Sequence, residues 1–92
     1  MPRPRKPRCC RAFDGDRVFK PRSIPMSRLE TIRLELSELE ALRLCDFEGC
    51  DQKEAGQRMG ISRGTVQRLL KRARSKVSQA LVQSAALVIE ED

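Results

Sequence analysis

The twenty residues from Gln52 to Lys71, QKEAGQRMGISRGTVQRLLK, decide how this chain is read. A short amphipathic segment, a turn at Gly60 and the start of a longer amphipathic segment follow one another directly. Gly56 lies where two helices would cross, and only a small side chain fits such a crossing. Gly60 sits in the turn, where positive φ is favoured and glycine adopts it freely. Ala55, Met59, Ile61, Val66 and Leu69 form the apolar set that packs the pair. Two helices joined by a short glycine-containing turn are the signature of a helix-turn-helix.

The flanking residues extend the pattern. Asp51 is placed to cap a helix from about Gln52 to Met59, and Ser62 to cap the next one. That next helix, about 63–82, carries Val66, Leu69, Leu70, Ala73, Val77, Ala80 and Leu81 at spacings of 3, 1, 3, 4, 3 and 1. Such spacing keeps one apolar stripe on a 3.6-residue helix. Upstream, Ser37-Glu38-Leu39-Glu40 reads as a capping box that opens a first helix from about Glu38 to Phe47, with Gly49 suited to a left-handed stop. Residues 30–36 alternate, with Ile32, Leu34 and Leu36 on one side and Thr31, Arg33 and Glu35 on the other, which predicts a half-buried strand. Its natural mate is 86–89, giving a short two-stranded ribbon that must pack on helices to persist. Residues 1–28 hold all five prolines and read as an extended basic arm. The expected fold is mainly α: a tri-helical helix-turn-helix domain over 29–92 of the winged-helix or sigma region 4-like kind, preceded by the arm.

Charge points to a polyanionic partner. The formal net charge is +6, but it is unevenly spread. Residues 1–28 contain nine Lys/Arg against two Asp, and the stretch from Arg63 to Lys76 contains six basic residues and no acidic one. Two separated basic blocks on a small chain suit nucleic acid. An anionic membrane is the rival. With three Phe and no Tyr or Trp, however, interfacial anchors and base-stacking platforms are nearly absent. No run of about 18 apolar residues exists for a membrane span, and the basic N-terminus lacks the apolar core of a secretory signal, so a cytoplasmic protein is expected.

Catalysis and metal binding find little to stand on. The chain has no His and no Gly-rich phosphate loop, and no Ser or Cys has a plausible base beside it, so an enzyme is not expected. Cys9, Cys10, Cys45 and Cys50 include no C-x-x-C spacing, and adjacent cysteines diverge as ligands. No metal and no cofactor are expected, and a metal- or redox-sensing role for the four cysteines is left open.

The stretch LSELEALRLCDFEGCDQKEAGQRMGISRGTVQRLLKRARSKVSQAL resembles the helix-turn-helix of region 4 of sigma-70-class bacterial sigma factors, and also response-regulator output domains. The whole chain, from MPRPRK through FKP and SIP to ALVIE, more closely resembles a family of small prokaryotic proteins regarded as DNA-binding, without an established target. The family resemblance implies a DNA-binding fold. The region 4 resemblance implies a third helix in the major groove and contact with RNA polymerase. Where that pattern usually has Ala at the crossing, this chain has Gly56.

The residues themselves suit the same task. The first turns of a recognition helix meet base edges. Ser62, Arg63, Gly64 and Gln67 are therefore the expected base-reading set. Arg63 suits guanine O6 and N7, and Gln67 suits adenine N6 and N7. Gly64 removes bulk where the backbone approaches DNA. Thr65, Arg68, Lys71 and Arg72, with Gln52 and Lys53 on the preceding helix, are expected at phosphates, which position without specifying. Arg3, Arg5, Lys6 and Arg8 would enter the minor groove as an arm. Arg74 and Lys76 have no assigned task. The bland alternative for each is a solvated face or a solubility tail. The expected function is sequence-specific binding of double-stranded DNA in transcription regulation, by a homodimer on a palindrome. The alternative is a protein-interaction module that binds RNA polymerase or another regulator.

Overall fold

The computed structural model describes residues 17–90. Arg3, Arg5, Lys6, Arg8, Cys9 and Cys10 lie outside the described residues, so the expected arm contacts rest on sequence alone. The described elements are β1 (Arg17–Phe19), a 3₁₀ turn (Met26–Arg28), β2 (Thr31–Glu35), α1 (Leu36–Leu42) running into a π-helical turn (Arg43–Phe47), α2 (Gln52–Met59), α3 (Arg63–Gln83) and β3 (Ala86–Glu90). The domain is mainly helical with one small sheet.

The sheet differs from the expected ribbon. Its order is β1-β3-β2, so β3 is central, with β1 antiparallel and β2 parallel to it. The expected partners, 30–36 and 86–89, do pair, with Leu34 opposite Ile89 and Ile32 opposite Leu87. The third strand comes from the segment read as extended arm, where Val18 and Phe19 lie opposite Val88 and Leu87. Pro21 and Pro25 exclude a helix near it, but neither falls within the three paired residues, so the edge strand remains open to them. The β2–β3 pair is parallel because everything from α1 to α3 serves as the crossover between the two strands.

The first helix also starts earlier than its expected cap. Glu35, not Ser37, is the N-cap: its side chain accepts from the Glu38 amide, while the Glu35 amide donates to Glu38 Oε1 at 3.0 Å. The box therefore sits two residues upstream. The reason is packing, because Leu36 joins Leu34, Ala73 and Ile89 in the core between sheet and α3, and the chain must turn into helix at Leu36 to place it there. Past Leu42 the helix widens into the π-helical turn, closed by a bond from the Glu48 amide to the Arg43 carbonyl at 2.9 Å. Gly49 follows with φ of 82°, the left-handed stop expected of it. Phe47, the last residue of the expected first helix, is 83% exposed, whereas Leu44 is buried.

A second core region joins the three helices through Ala41, Leu44, Ala55, Met59, Val66, Leu69 and Leu70. The α3 stripe packs as far as Ala80, whereas Leu81 is 77% exposed. The cause is length: α1 has seven residues and α2 eight, against twenty-one in α3, so its last turns outrun their helical neighbours. No described helix is long and apolar enough to cross a membrane.

Candidate nucleic-acid interface

The start of α3 is fixed by the turn before it. Gly60 has φ of 73°, and the Ile61 amide donates to the Gly56 carbonyl at 2.9 Å. A Cβ on Gly56 would lie 2.7 Å from the Ile61 carbonyl oxygen, so glycine at the crossing is a steric requirement here rather than a preference. Ser62 caps α3, its hydroxyl accepting from the Thr65 amide at 3.2 Å, and the two hydroxyls lie 2.9 Å apart. The amides of the first helical turn beyond this cap have no partner within the helix.

Side chains then distribute at about 100° per residue. Val66, Leu69, Leu70 and Ala73 face the core, and Gly64, Gln67, Arg68 and Lys71 face solvent on the opposite side. Arg63, exposed, lies on the flank nearer the start of α2. There it lines a groove with Gln67 and Arg74 from α3, Gln52 and Lys53 from α2, and Cys45, Asp46, Cys50 and Asp51 from the segment between α1 and α2. Four of the residues singled out from sequence, Gln52, Lys53, Arg63 and Gln67, are thus brought to one groove. Ser62 and Gly64 stand exposed at its end of α3, and a Cβ on Gly64 would meet only the far end of Arg68. Thr65 is half-buried and its hydroxyl is engaged with Ser62; Arg68 approaches the same hydroxyl at 3.4 Å.

The cations of α3 fall into two groups. Arg63, Arg68 and Lys71 have no carboxylate partner among the described residues. Arg72 and Lys76, on the flank away from Arg63, converge on Glu38, at 3.3 Å and 2.6 Å. Glu38 is 1% exposed and also accepts from the Glu35 amide. Arg72, expected at a phosphate, is therefore drawn sideways to α1, because nine residues from Arg63 is about half a revolution of the helix. Arg74 makes a two-pronged pair with Asp46, at 2.9 Å and 2.7 Å. Its guanidinium holds the Asp46 carboxyl below the usual carboxylate range, and Asp46 in turn raises Arg74.

These partnerships were not legible beforehand, because 28 residues separate Arg74 from Asp46 and 38 separate Lys76 from Glu38. Arg43 illustrates the short-range case. It pairs with Glu40 at 3.0 Å and 2.5 Å and reaches Glu48, and the Glu40 hydrogen bond raises the guanidinium's pKa further. Glu40 thereby serves Arg43, and the cap of α1 is formed by Glu35 and Glu38. Burial pushes the Cys45 and Cys50 thiols above their ordinary value, which disfavours the reactive thiolate. No group of three metal-ligating side chains occurs among the described residues.

What fold and surface define together is a small, mainly helical domain with a three-stranded sheet, presenting one capped, cation-bearing helix end beside a polar groove. The chain belongs to the family described as "Protein of unknown function DUF134", whose pattern matches residues 1–92. It is similar to a UPF0251 protein of Pelotomaculum thermopropionicum, 47% identical over 89 residues that cover 97% of this chain and 67% of that protein. A UPF0251 protein of Vibrio vulnificus is also 47% identical over 89 residues, covering 97% of this chain and 89% of the relative. A UPF0251 protein of Desulforudis audaxviator is 49% identical over 90 residues, and there the chain spans only 59% of the relative's length. No solved structure matches the chain.

Proposed function

We propose that this chain binds double-stranded DNA in a sequence-specific manner and regulates transcription, with α2 and α3 acting as a helix-turn-helix and α3 entering the major groove. The observation that carries this reading is the state of the α3 start. Arg63, Gln67, Arg68 and Lys71 are exposed there, no carboxylate among the described residues neutralises the three cations, and a side-chain cap and a tight turn fix where the helix begins. A merely solvated face needs no such arrangement.

In this reading Arg63 and Gln67 meet base edges, with Arg63 bidentate to guanine and Gln67 to adenine. Ser62 and Gly64 permit close approach, and the first-turn amides beside Thr65 take a phosphate. Arg68, Lys71, Gln52 and Lys53 hold the backbone and set the register. Arg72 would join them only by leaving Glu38. The basic residues Arg3, Arg5, Lys6 and Arg8 add minor-groove contacts. One such helix reads few base pairs, so two copies on a palindromic site supply the remaining specificity.

The test is selection of bound sequences from a random DNA pool at two salt concentrations, with wild type and Arg63→Ala. A common motif from the wild type, lost or relaxed with Arg63→Ala, is the expected result. Absence of any motif from the wild type rejects sequence-specific regulation. Binding to RNA polymerase that is indifferent to Arg63→Ala and Gln67→Ala would then favour the protein-interaction reading.

A further inference from the structure

Arg74 stands apart from the other cations of its helix. It lines the same groove as Arg63 and Gln67, yet its guanidinium is paired with Asp46 through two hydrogen bonds of 2.9 Å and 2.7 Å. Both partners remain substantially solvent-exposed, with side chains 57% and 38% accessible. An exposed pair of this kind adds little to stability, so its position at the groove asks for another explanation.

The geometry of the helix supplies one. Arg74 is seven residues beyond Gln67, which at about 1.5 Å per residue is roughly 10 Å along the axis. A major groove is about 12 Å wide. With Gln67 at base edges, Arg74 therefore comes to the wall of the groove, where phosphates lie. Seven residues are also about two whole turns, so the two side chains leave α3 on the same flank. A free arginine at that place would grip any duplex, whatever its sequence.

We propose that Asp46 is a specificity-determining residue: by holding Arg74 in a neutral pair, it withholds one sequence-independent phosphate contact and so raises the share of binding that depends on Arg63 and Gln67. This rests on the DNA-binding reading above and adds a role for a residue outside the helix pair. Asp46 belongs to the π-helical turn between α1 and α2, so that turn carries the counter-charge to the groove. Non-specific affinity is mainly electrostatic and its salt dependence counts phosphate contacts, so removing the counter-charge has a countable effect.

The test measures affinity for the selected site and for random-sequence duplex against salt concentration, using the full chain. Three variants are compared with wild type: Asp46→Asn, Asp46→Asn with Arg74→Gln, and Glu90→Gln. Glu90 pairs with Arg33 on the sheet, so its replacement removes one negative charge away from the groove. Asp46→Asn is expected to steepen the log–log salt slope on random duplex by about 0.9 and to tighten that binding several-fold, narrowing the preference for the selected site. The double variant is expected to return to wild-type behaviour, and Glu90→Gln to leave the slope unchanged. An Asp46→Asn effect no larger than that of Glu90→Gln overturns the proposal, since it would then be a matter of net charge. A double variant that binds more weakly than wild type also overturns it, since Arg74 would already be on the DNA. Asp46→Ala repeats the test without an amide that still accepts from Arg74, and thermal unfolding of each variant establishes that it is folded. A wild type that binds no DNA rejects the underlying reading, a result separate from the outcomes above.

Discussion

The two parts of the basic run on α3, 63–71 and 72–76, carry the same kind of side chain in different circumstances. Arg63, Arg68 and Lys71 project from the first part without a carboxylate partner among the described residues, whereas Arg72, Arg74 and Lys76 in the second each touch one. In the sequence these six form one run, yet half are available to a polyanion and half already hold the domain's own elements together. A basic run in a sequence is thus an upper bound on its contacts with DNA, because a buried or nearby carboxylate can claim any of its members.

The comparison is most severely tested at Glu38. Its side chain is 1% exposed and joins α1 to both Arg72 and Lys76. Glu38→Ala is expected to lower the unfolding free energy by about 2–3 kcal/mol, because the Glu35 amide and two cations lose their acceptor. Urea denaturation with an unchanged m-value checks it, and a loss below about 0.5 kcal/mol would place Arg72 and Lys76 with the free cations. Next comes Arg63→Ala. It should weaken binding to the selected site by roughly 10- to 100-fold while leaving the melting temperature unchanged. Fluorescence anisotropy on selected and scrambled duplexes measures the first, and calorimetry the second. Lys71→Ala should act evenly on all sequences and reduce the salt slope by about 0.9. Arg72→Ala should leave that slope nearly untouched, and equal slopes for the two variants would erase the division within the basic run.

The smallest effect concerns pH. The folded-state carboxyl of Asp46 titrates below its ordinary value of 3.8 because Arg74 favours the ionised form. The pair therefore contributes to stability above that value, and the contribution is lost as pH falls through the lower folded-state pKa. From about pH 5 to about pH 2, wild type should lose slightly more stability than Asp46→Asn, with identical curves showing that the pair holds nothing. The effect is small because both side chains are solvent-screened.

Local chemistry was readable in the sequence where the interaction itself was local. Asp51 and Ser62 cap the helices they precede, accepting from Glu54 and Thr65 three residues on. Gly49 and Gly60 take the positive φ read for them, and Gly56 meets the turn carbonyl at the crossing. The first helix shows how such reading fails. Ser37 to Glu40 satisfies the capping-box pattern as well as Glu35 to Glu38 does, and only the need to bury Leu36 against Leu34 and Ile89 selects the latter. Likewise Val18 and Phe19 carry no alternation long enough to announce a strand, and β1 exists because β3 offers it an edge.

Residue order alone specifies the helical pair around Gly56 and Gly60, the long amphipathic α3, and the residue types at its exposed start. Periodicity, caps and glycine conformations act over three or four residues, so one-dimensional order suffices to fix them. Packing selects which of six cations stay without a carboxylate among the described residues, which strand edge β1 joins, and that Asp46 stands beside the groove. Those outcomes depend on carboxylates and strands tens of residues away, brought near only when α1 and the sheet pack on α3.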